Sequence, residues 1–151
     1  MSVSNKAGTQ SLSPAFAVGR RDIKNEMMVI ERNVNDNLEF DLTYGNKVEK
    51  ISVTIAAGNY SGDALVKELQ EKINEELVKK GINEDFIKAQ IGGVNTGVAG
   101  ANDSNALCLI QNKNVNAPAE GDFIIDGVRG SAAFTIFYQS EGKMEIGRAH
   151  V

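Results

Sequence analysis

Residues 38–80 read LEFDLTYGNKVEKISVTIAAGNYSGDALVKELQEKINEELVKK, and this stretch decides the fold class. Apolar and polar side chains alternate along 38–44, and the alternation returns along 51–55. A period of two predicts a strand with one buried face and one solvated face. The turn Gly45-Asn46-Lys47 separates the two strands, so the pair is predicted to form an antiparallel hairpin.

The second half of the stretch predicts a helix over 62–80. The Ser61 hydroxyl can accept a hydrogen bond from the first helical turn, and Gly81 suits the left-handed residue that ends a helix. Apolar residues recur every fourth position and form one stripe: Leu65, Leu69, Ile73 and Leu77. Opposite charges four residues apart predict a solvated outer face: Lys67–Glu71, Glu68–Lys72, Glu75–Lys79 and Glu76–Lys80. We expect the stripe to cover the hairpin face that carries Phe40, Leu42, Val53 and Ile55.

The remaining segments predict further strands. They are the apolar run 27–30 and the segments 86–91, 106–110 and 123–125, the last ending at Asp126-Gly127. The β-branched and aromatic residues of 130–138 favour a strand over the alternative, a short helical turn. Because strands do not alternate with helices, we expect an α+β fold, with a mostly antiparallel sheet and one main amphipathic helix packed on one face. Residues 1–15 are expected to form a flexible N-terminal arm and 16–144 a single domain.

Composition excludes several classes of protein. A chain of 151 residues with a net charge of −4 predicts one domain and lacks the basic surface that nucleic acid binding requires. Its single cysteine cannot form an internal disulfide, and its single histidine leaves little room for histidine-based catalysis. Apolar runs stay well short of the ~20 residues of a membrane helix, and the N-terminus has no apolar core of a cleavable secretory signal.

The last seven residues, 145–151, have an unusual reading at the nucleotide level. Their codons can be written GAGATCGGAAGAGCACACGTC, which resembles a common short-read sequencing adapter. We therefore expect the native reading frame to end near Met144 and residues 145–151 to be non-native read-through from a longer parent. Since His150 lies in this segment, no site is built on it.

Four motifs are candidates for a binding or catalytic site. The glycine-rich run 92–100 lacks the Gly-Lys-Ser/Thr ending of a phosphate loop, and 33–37 lacks the glycine and glutamate of a calcium loop, so both are read as connections. Cys108 lies in an apolar strand without an activating histidine, which predicts a buried, inert thiol. Glu71 and Glu75 each have a lysine four residues away and are read as solvated. We expect no catalytic, cofactor-binding or metal site.

The stretch resembles a known family. The runs LEFDLTY at 38–44 and ISVTIAAGNYS at 51–61, followed by LQEKIN at 69–74, resemble the hook IN motif of bacterial flagellins and flagellar hook-associated proteins. The apolar strand at 106–111 and the segment 130–133 extend the resemblance to about 38–137. It implies a structural, non-catalytic module, exported without a cleaved signal to the cell surface, whose partners are other subunits of a flagellar or surface appendage. Long filament-forming helices are absent from 38–137, so the resemblance implies an outer or inserted domain.

Two other interpretations remain open at this point. A surface adhesion or carbohydrate-binding module could share the local pattern, although the chain has no tryptophan for stacking on sugars. The chain could also be a fragment of an enzyme whose active site lies elsewhere in a parent protein. We expect no nucleic acid, membrane or small-molecule ligand for the leading interpretation.

Overall fold

The computed structural model describes residues 14–93 and 105–138, together with the backbone of 145–147. The described part holds one long helix, one short helix and strands in the following order: β1 Phe16–Asp22, β2 Met28–Ile30, β3 Asn37–Tyr44, β4 Lys47–Thr54, β5 Gly58–Tyr60, α1 Gly62–Lys79, β6 Ile87–Ile91, β7 Ala106–Gln111, β8 Phe123–Arg129, α2 Ala133–Ile136 and β9 Glu145–Gly147.

The described strands pair antiparallel throughout, in three sheets. The first sheet has the order β6-β7-β1-β9, the second β4-β3-β8, and β2 pairs with β5 alone. The expected α+β class with mostly antiparallel strands and one main helix is confirmed in outline. The expectation of one sheet is wrong, because short-range alternation along a strand does not determine which partners it pairs with.

The predicted hairpin is β3 and β4. Leu38 faces Val53 and Phe40 faces Ile51 across it, and every second residue of β3 is buried. The two strands pair along their full lengths, so β4 begins at Lys47, earlier than the apolar run that starts at Ile51. The residues that the alternation places on one face are those that the core covers.

Helix α1 begins and ends with the residues that the sequence indicates. Ser61 Oγ accepts a hydrogen bond from Ala64 N at 3.2 Å. At the other end Gly81 adopts φ 75°, and the Ile82 N–H donates to the Leu77 carbonyl at 2.9 Å. This arrangement is a Schellman cap, in which the last carbonyls of the helix find partners in the residues that follow.

The charged face of α1 matches the prediction only in part. Lys72 lies 3.9 Å from Glu68, as expected for a pair four residues apart. Lys79, in contrast, pairs with Glu76 at 2.9 Å, three residues away, instead of with Glu75. Both kinds of spacing place side chains on the same side of a helix, and such exposed pairs contribute only about 0.2–0.5 kcal/mol each.

Helix α1 joins the two larger sheets. Its charged residues face outward, and its apolar stripe faces the core. The four members of the stripe are completely buried: Leu65, Leu69, Ile73 and Leu77. The helix lies against β4 of the second sheet and β6 of the first, while β1 and β8 bring the same two sheets together elsewhere. The rings of Phe86, Phe123 and Tyr44 form a chain across the core, with 5.0 Å between successive centroids. One core therefore serves both sheets.

Strand β8 continues beyond the predicted end at Asp126-Gly127. Asp126 faces Asp41 and Arg129 faces Glu39, so β8 uses one more residue than β3 over the same distance. Gly127, with φ 68°, supplies this β-bulge. The predicted strand end was wrong, because an Asp-Gly pair occurs both in turns and in β-bulges. The buried Val128 that follows is the signal for the bulge.

The segment 130–138 contains the short helix Ala133–Ile136 and not the favoured strand. Its buried residues follow helical spacing: Ala132, Ala133, Ile136 and Phe137. Gly130 turns the chain with φ 108°, and the Ala132 N–H then donates to the Asn37 carbonyl at 2.8 Å. Side-chain propensity favoured the strand, but the spacing of the buried residues was the better guide.

The first strand begins at the edge of the predicted arm. Ala15 is fully buried, and its N–H donates to the side chain of Gln111 at 3.1 Å. Residues 1–13 of the arm lie outside the described residues. At the other end, the backbone of β9, within the segment expected to be read-through, pairs with β1.

Candidate functional site

Residues 56–61 connect the hairpin to the helix, and we call them the 56–61 junction. The Ala56 N–H donates to Glu68 at 2.9 Å, and the Tyr60 hydroxyl donates to the Ala56 carbonyl. Gly58–Tyr60 does leave the hairpin, but it pairs with β2 as strand β5. Burial, and secondarily the Glu68 carboxylate, raises the pKa of Tyr60 above its usual value. The junction thus binds the helix start to the strand end through polar groups.

Two side-chain amides tie α1 to the first sheet, and we call them the amide clamp: Gln70 and Asn74. Gln70 accepts from the Ala89 N–H at 2.9 Å and donates to the Ile87 carbonyl at 2.8 Å, as a neighbouring strand would. Asn74 accepts from the Asp85 N–H at 2.8 Å. Gln70 thus satisfies backbone groups on the open side of β6, which is an edge strand, and Asn74 satisfies an N–H just before that strand begins.

Replacing Gln70 with alanine is expected to lower the free energy of unfolding by about 1–3 kcal/mol, because one N–H and one carbonyl of β6 lose their partner. The control is Glu71→Ala on the exposed face of α1, with an expected change within about 0.5 kcal/mol. Urea unfolding gives the stabilities, and hydrogen exchange reports on the Ala89 amide. Unchanged exchange at Ala89 in the Gln70 variant would disprove the clamp.

A polar network covers the outer face of the second sheet, and we call it the Arg129 strip: Glu39, Asp41, Ser52 and Arg129. The guanidinium donates to Glu39 and to Asp41, both at 3.2 Å, and to the Gly127 carbonyl at 2.9 Å. The Ser52 hydroxyl donates to the other oxygen of Glu39 at 3.0 Å. Asp41 foremost, with Glu39, raises the pKa of Arg129, so its charge is fixed. The bulge at Gly127 brings Arg129 into register with both acids.

Two aromatic rings contact each other after β8, Phe134 and Tyr138. Their centroids are 5.5 Å apart, and Phe134 is 59% exposed. The Tyr138 hydroxyl donates to the Val128 carbonyl, one residue before Arg129. This pair was not predicted, because a strand was expected over 130–138. Helical spacing of the buried residues was the signal that could have found it.

Tyr138 gives the fold a pH dependence at the alkaline end. Burial raises its pKa above the usual value of 10.0, while the nearby Arg129 acts in the opposite direction. A raised pKa in the folded state favours the neutral phenol. The contribution of Tyr138 to the free energy of unfolding is therefore complete below about pH 10 and is lost as the pH rises through the folded pKa. We expect Arg129→Met to raise the pKa of Tyr138 further, measured by ultraviolet titration with Tyr138→Phe as the reference. A fall in the pKa would contradict the assignment.

The described motifs lie in separate parts of the fold. Cys108 is completely buried beside Phe16 and Val18, which confirms the expected buried thiol. Glu71 and Glu75 are exposed on α1, as expected. Strands β6 and β7, which flank the glycine-rich run, pair antiparallel, while residues 94–100 and His150 lie outside the described residues.

The turn 33–37, which lacks the glycine and glutamate of a calcium loop, is held by hydrogen bonds from its own side chains. Asp36 accepts from the Asn33 N–H at 3.0 Å, and Asn33 adopts φ 62°. Asn35 donates to the Val29 carbonyl and to Thr135, which fixes the turn to β2 and α2. No group of three metal-binding side chains occurs within 14–93 and 105–138.

The described helices include none that is long and apolar enough to cross a bilayer. The polar side chains of the amide clamp and the Arg129 strip form hydrogen bonds with one another and with the backbone. Comparison with known protein families, with curated proteins and with solved structures finds no match to this chain.

Proposed function

We propose that this chain is a structural, non-catalytic module of a bacterial flagellin-like or flagellar hook-associated protein. It would be carried on the outside of an appendage by a longer parent and would contact other subunits of that appendage. The 56–61 junction is the observation that carries the proposal. Three residues at the end of the run 51–61 make the polar contacts between hairpin and helix: Ala56, Tyr60 and Ser61.

A second feature supports a role as an inserted or outer unit. The Phe137 carbonyl accepts from the N–H of Arg20 at 2.7 Å, so the segment after α2 lies beside the first strand. Close approach of the first strand and the segment after α2 suits a domain that is inserted into a larger protein, since the two connections to the host then lie near each other. The amide clamp supports the same role, because it closes β6 against unwanted strand pairing.

The proposal is tested on the organism that encodes the chain. Antibodies raised against the folded protein are applied to intact cells for immunogold electron microscopy, with a gene-deletion strain as the control. We expect gold along surface appendages, and peptides from this chain in the mass spectrum of the sheared appendage fraction. Unlabelled appendages together with peptides found only in the cell lysate would contradict the proposal.

A further inference from the structure

We propose that the side of β1 on which β9 lies, at Phe16–Val18, binds an extended apolar strand from a neighbouring appendage subunit, in antiparallel pairing and in place of β9. We call this side the β1 edge. The inference rests on the proposed function, because it states how such a subunit would attach. Three features carry it: an edge without polar protection, an apolar cluster beside it and a poorly matched strand on it.

The β1 edge lacks the protection that two other strands of the fold have. Gln70 closes β6, and Asn35 closes β2 in the same way. The Asn35 amide accepts from the Glu31 N–H at 2.7 Å and donates to the Val29 carbonyl at 2.8 Å. Such devices keep an open strand from pairing with another chain. Residues 15–19, AFAVG, contain neither a charge nor a side-chain amide, so this part of β1 is suited to receive a strand.

The backbone groups of Phe16 and Val18 form the β1 edge. On the opposite side, towards β7, the Ala15 carbonyl accepts from the Gln111 N–H at 2.8 Å. Backbone groups of successive residues in a strand point to opposite sides, so those of Phe16 and Val18 point towards β9. These two residues therefore exchange hydrogen bonds with the two end residues of β9, whereas the N–H of its middle residue points away.

The chemistry beside the β1 edge is apolar. Phe16 and Val18 form a cluster with Cys108 that is buried apart from the main core. Residues directly opposite each other in an antiparallel pair share a face of the sheet. Gly147 stands opposite Phe16 and Glu145 opposite Val18, so a glycine and an acidic residue hold the two positions that share the face of the cluster. A strand with apolar residues at these positions would match the cluster better.

The partner is a different subunit and not a second copy of this chain. Every strand within 14–93 and 105–138 already has a partner, so that part of a second copy offers no spare strand. Strand addition joins two chains through backbone hydrogen bonds and takes its specificity from alternate side chains. The partner is therefore expected to present an extended segment with large apolar residues at alternate positions.

The test follows amide NMR spectra of the full chain during titration with two synthetic peptides, KTVIVTK and KTEIGTK. The peptides differ only at the two positions that would share the face of the cluster, and the second carries the residues of β9 there. For KTVIVTK we expect saturable shift changes centred on Phe16 and Val18, with a Kd of about 1 mM or tighter. KTEIGTK should bind about 10-fold more weakly.

Two proline variants of the chain are the matched controls. Gly147→Pro removes an N–H that β9 uses to pair with β1, so β9 competes less and KTVIVTK should bind about 10-fold more tightly. Ile146→Pro removes the N–H that points away from β1, where a strand tolerates proline. Its affinity for KTVIVTK should equal that of the unmodified chain.

The proposal fails if KTVIVTK leaves the resonances of Phe16 and Val18 unshifted at about 10 mM, a concentration well above the expected Kd. It also fails if the two peptides bind equally well. Self-association of the Gly147→Pro chain in sedimentation equilibrium, without added peptide, would assign the β1 edge to a second copy and overturn it too. Since these measurements use the purified chain, their outcome is independent of the immunogold experiment that tests the appendage role.

Discussion

Replacing Gly62 with alanine should lower the free energy of unfolding by about 2–4 kcal/mol, although alanine is the better helix former by about 1 kcal/mol. A Cβ on Gly62 would stand 2.3 Å from the Ile23 carbonyl oxygen and 2.9 Å from the Ile91 side chain. The first contact is with backbone, which a rotamer change cannot relieve. The start of α1 would have to move away from β6 and from the loop after β1.

Gly81, at the other end of the same helix, is the control for this substitution. An alanine at position 81 would have a strained backbone, because φ is 75°, but the space around the residue is open. Gly81→Ala should therefore lose only about 1–2 kcal/mol. Urea unfolding of both variants separates a steric clash from backbone strain. Equal losses would contradict the close packing of the helix start.

The second large effect is expected at Leu69, in the centre of the apolar stripe. Leu69→Ala should lower the free energy of unfolding by about 3–5 kcal/mol, because the side chain is completely buried between helix and sheets and its loss leaves a cavity. Chemical unfolding followed by circular dichroism measures the change.

Val78 provides the matched control on the same helix. It is 54% exposed, so Val78→Ala should change the stability by less than about 0.5 kcal/mol. If Leu69→Ala proved as mild as Val78→Ala, the stripe would not be the contact that fixes α1 in place.

The parts of the fold that could be predicted are those with local causes. Alternation along β3, the four-residue period of α1 and the Ser61 and Gly81 ends are all encoded within a few residues, and the structure confirms them. Sheet membership was missed because it depends on long-range pairs such as β1 with β7. The extension of β8 was missed because Gly127 serves a bulge that only the partner strand reveals.

The polar clusters were harder to predict than the fold. Gln70 and Asn74 look like ordinary polar positions of a solvated helix, and only the placement of β6 shows what they bind. Arg129 lies far in sequence from Glu39 and Asp41, so their network has no local signal. The buried state of Cys108, in contrast, followed from its apolar strand alone.

Helix α1 packs on both larger sheets and joins them into one cooperative unit. Equilibrium unfolding in urea, followed by far-ultraviolet circular dichroism and by tyrosine fluorescence, tests this claim most directly. Helix loss dominates the first signal. The second is recorded on a variant with Tyr60→Phe and Tyr138→Phe, in which Tyr44, packed on Phe123, is the remaining tyrosine and reports on the second sheet. We predict that the two curves coincide in a single transition, as expected for two-state unfolding. Two separated transitions, with the helix lost before the second sheet, would contradict the claim.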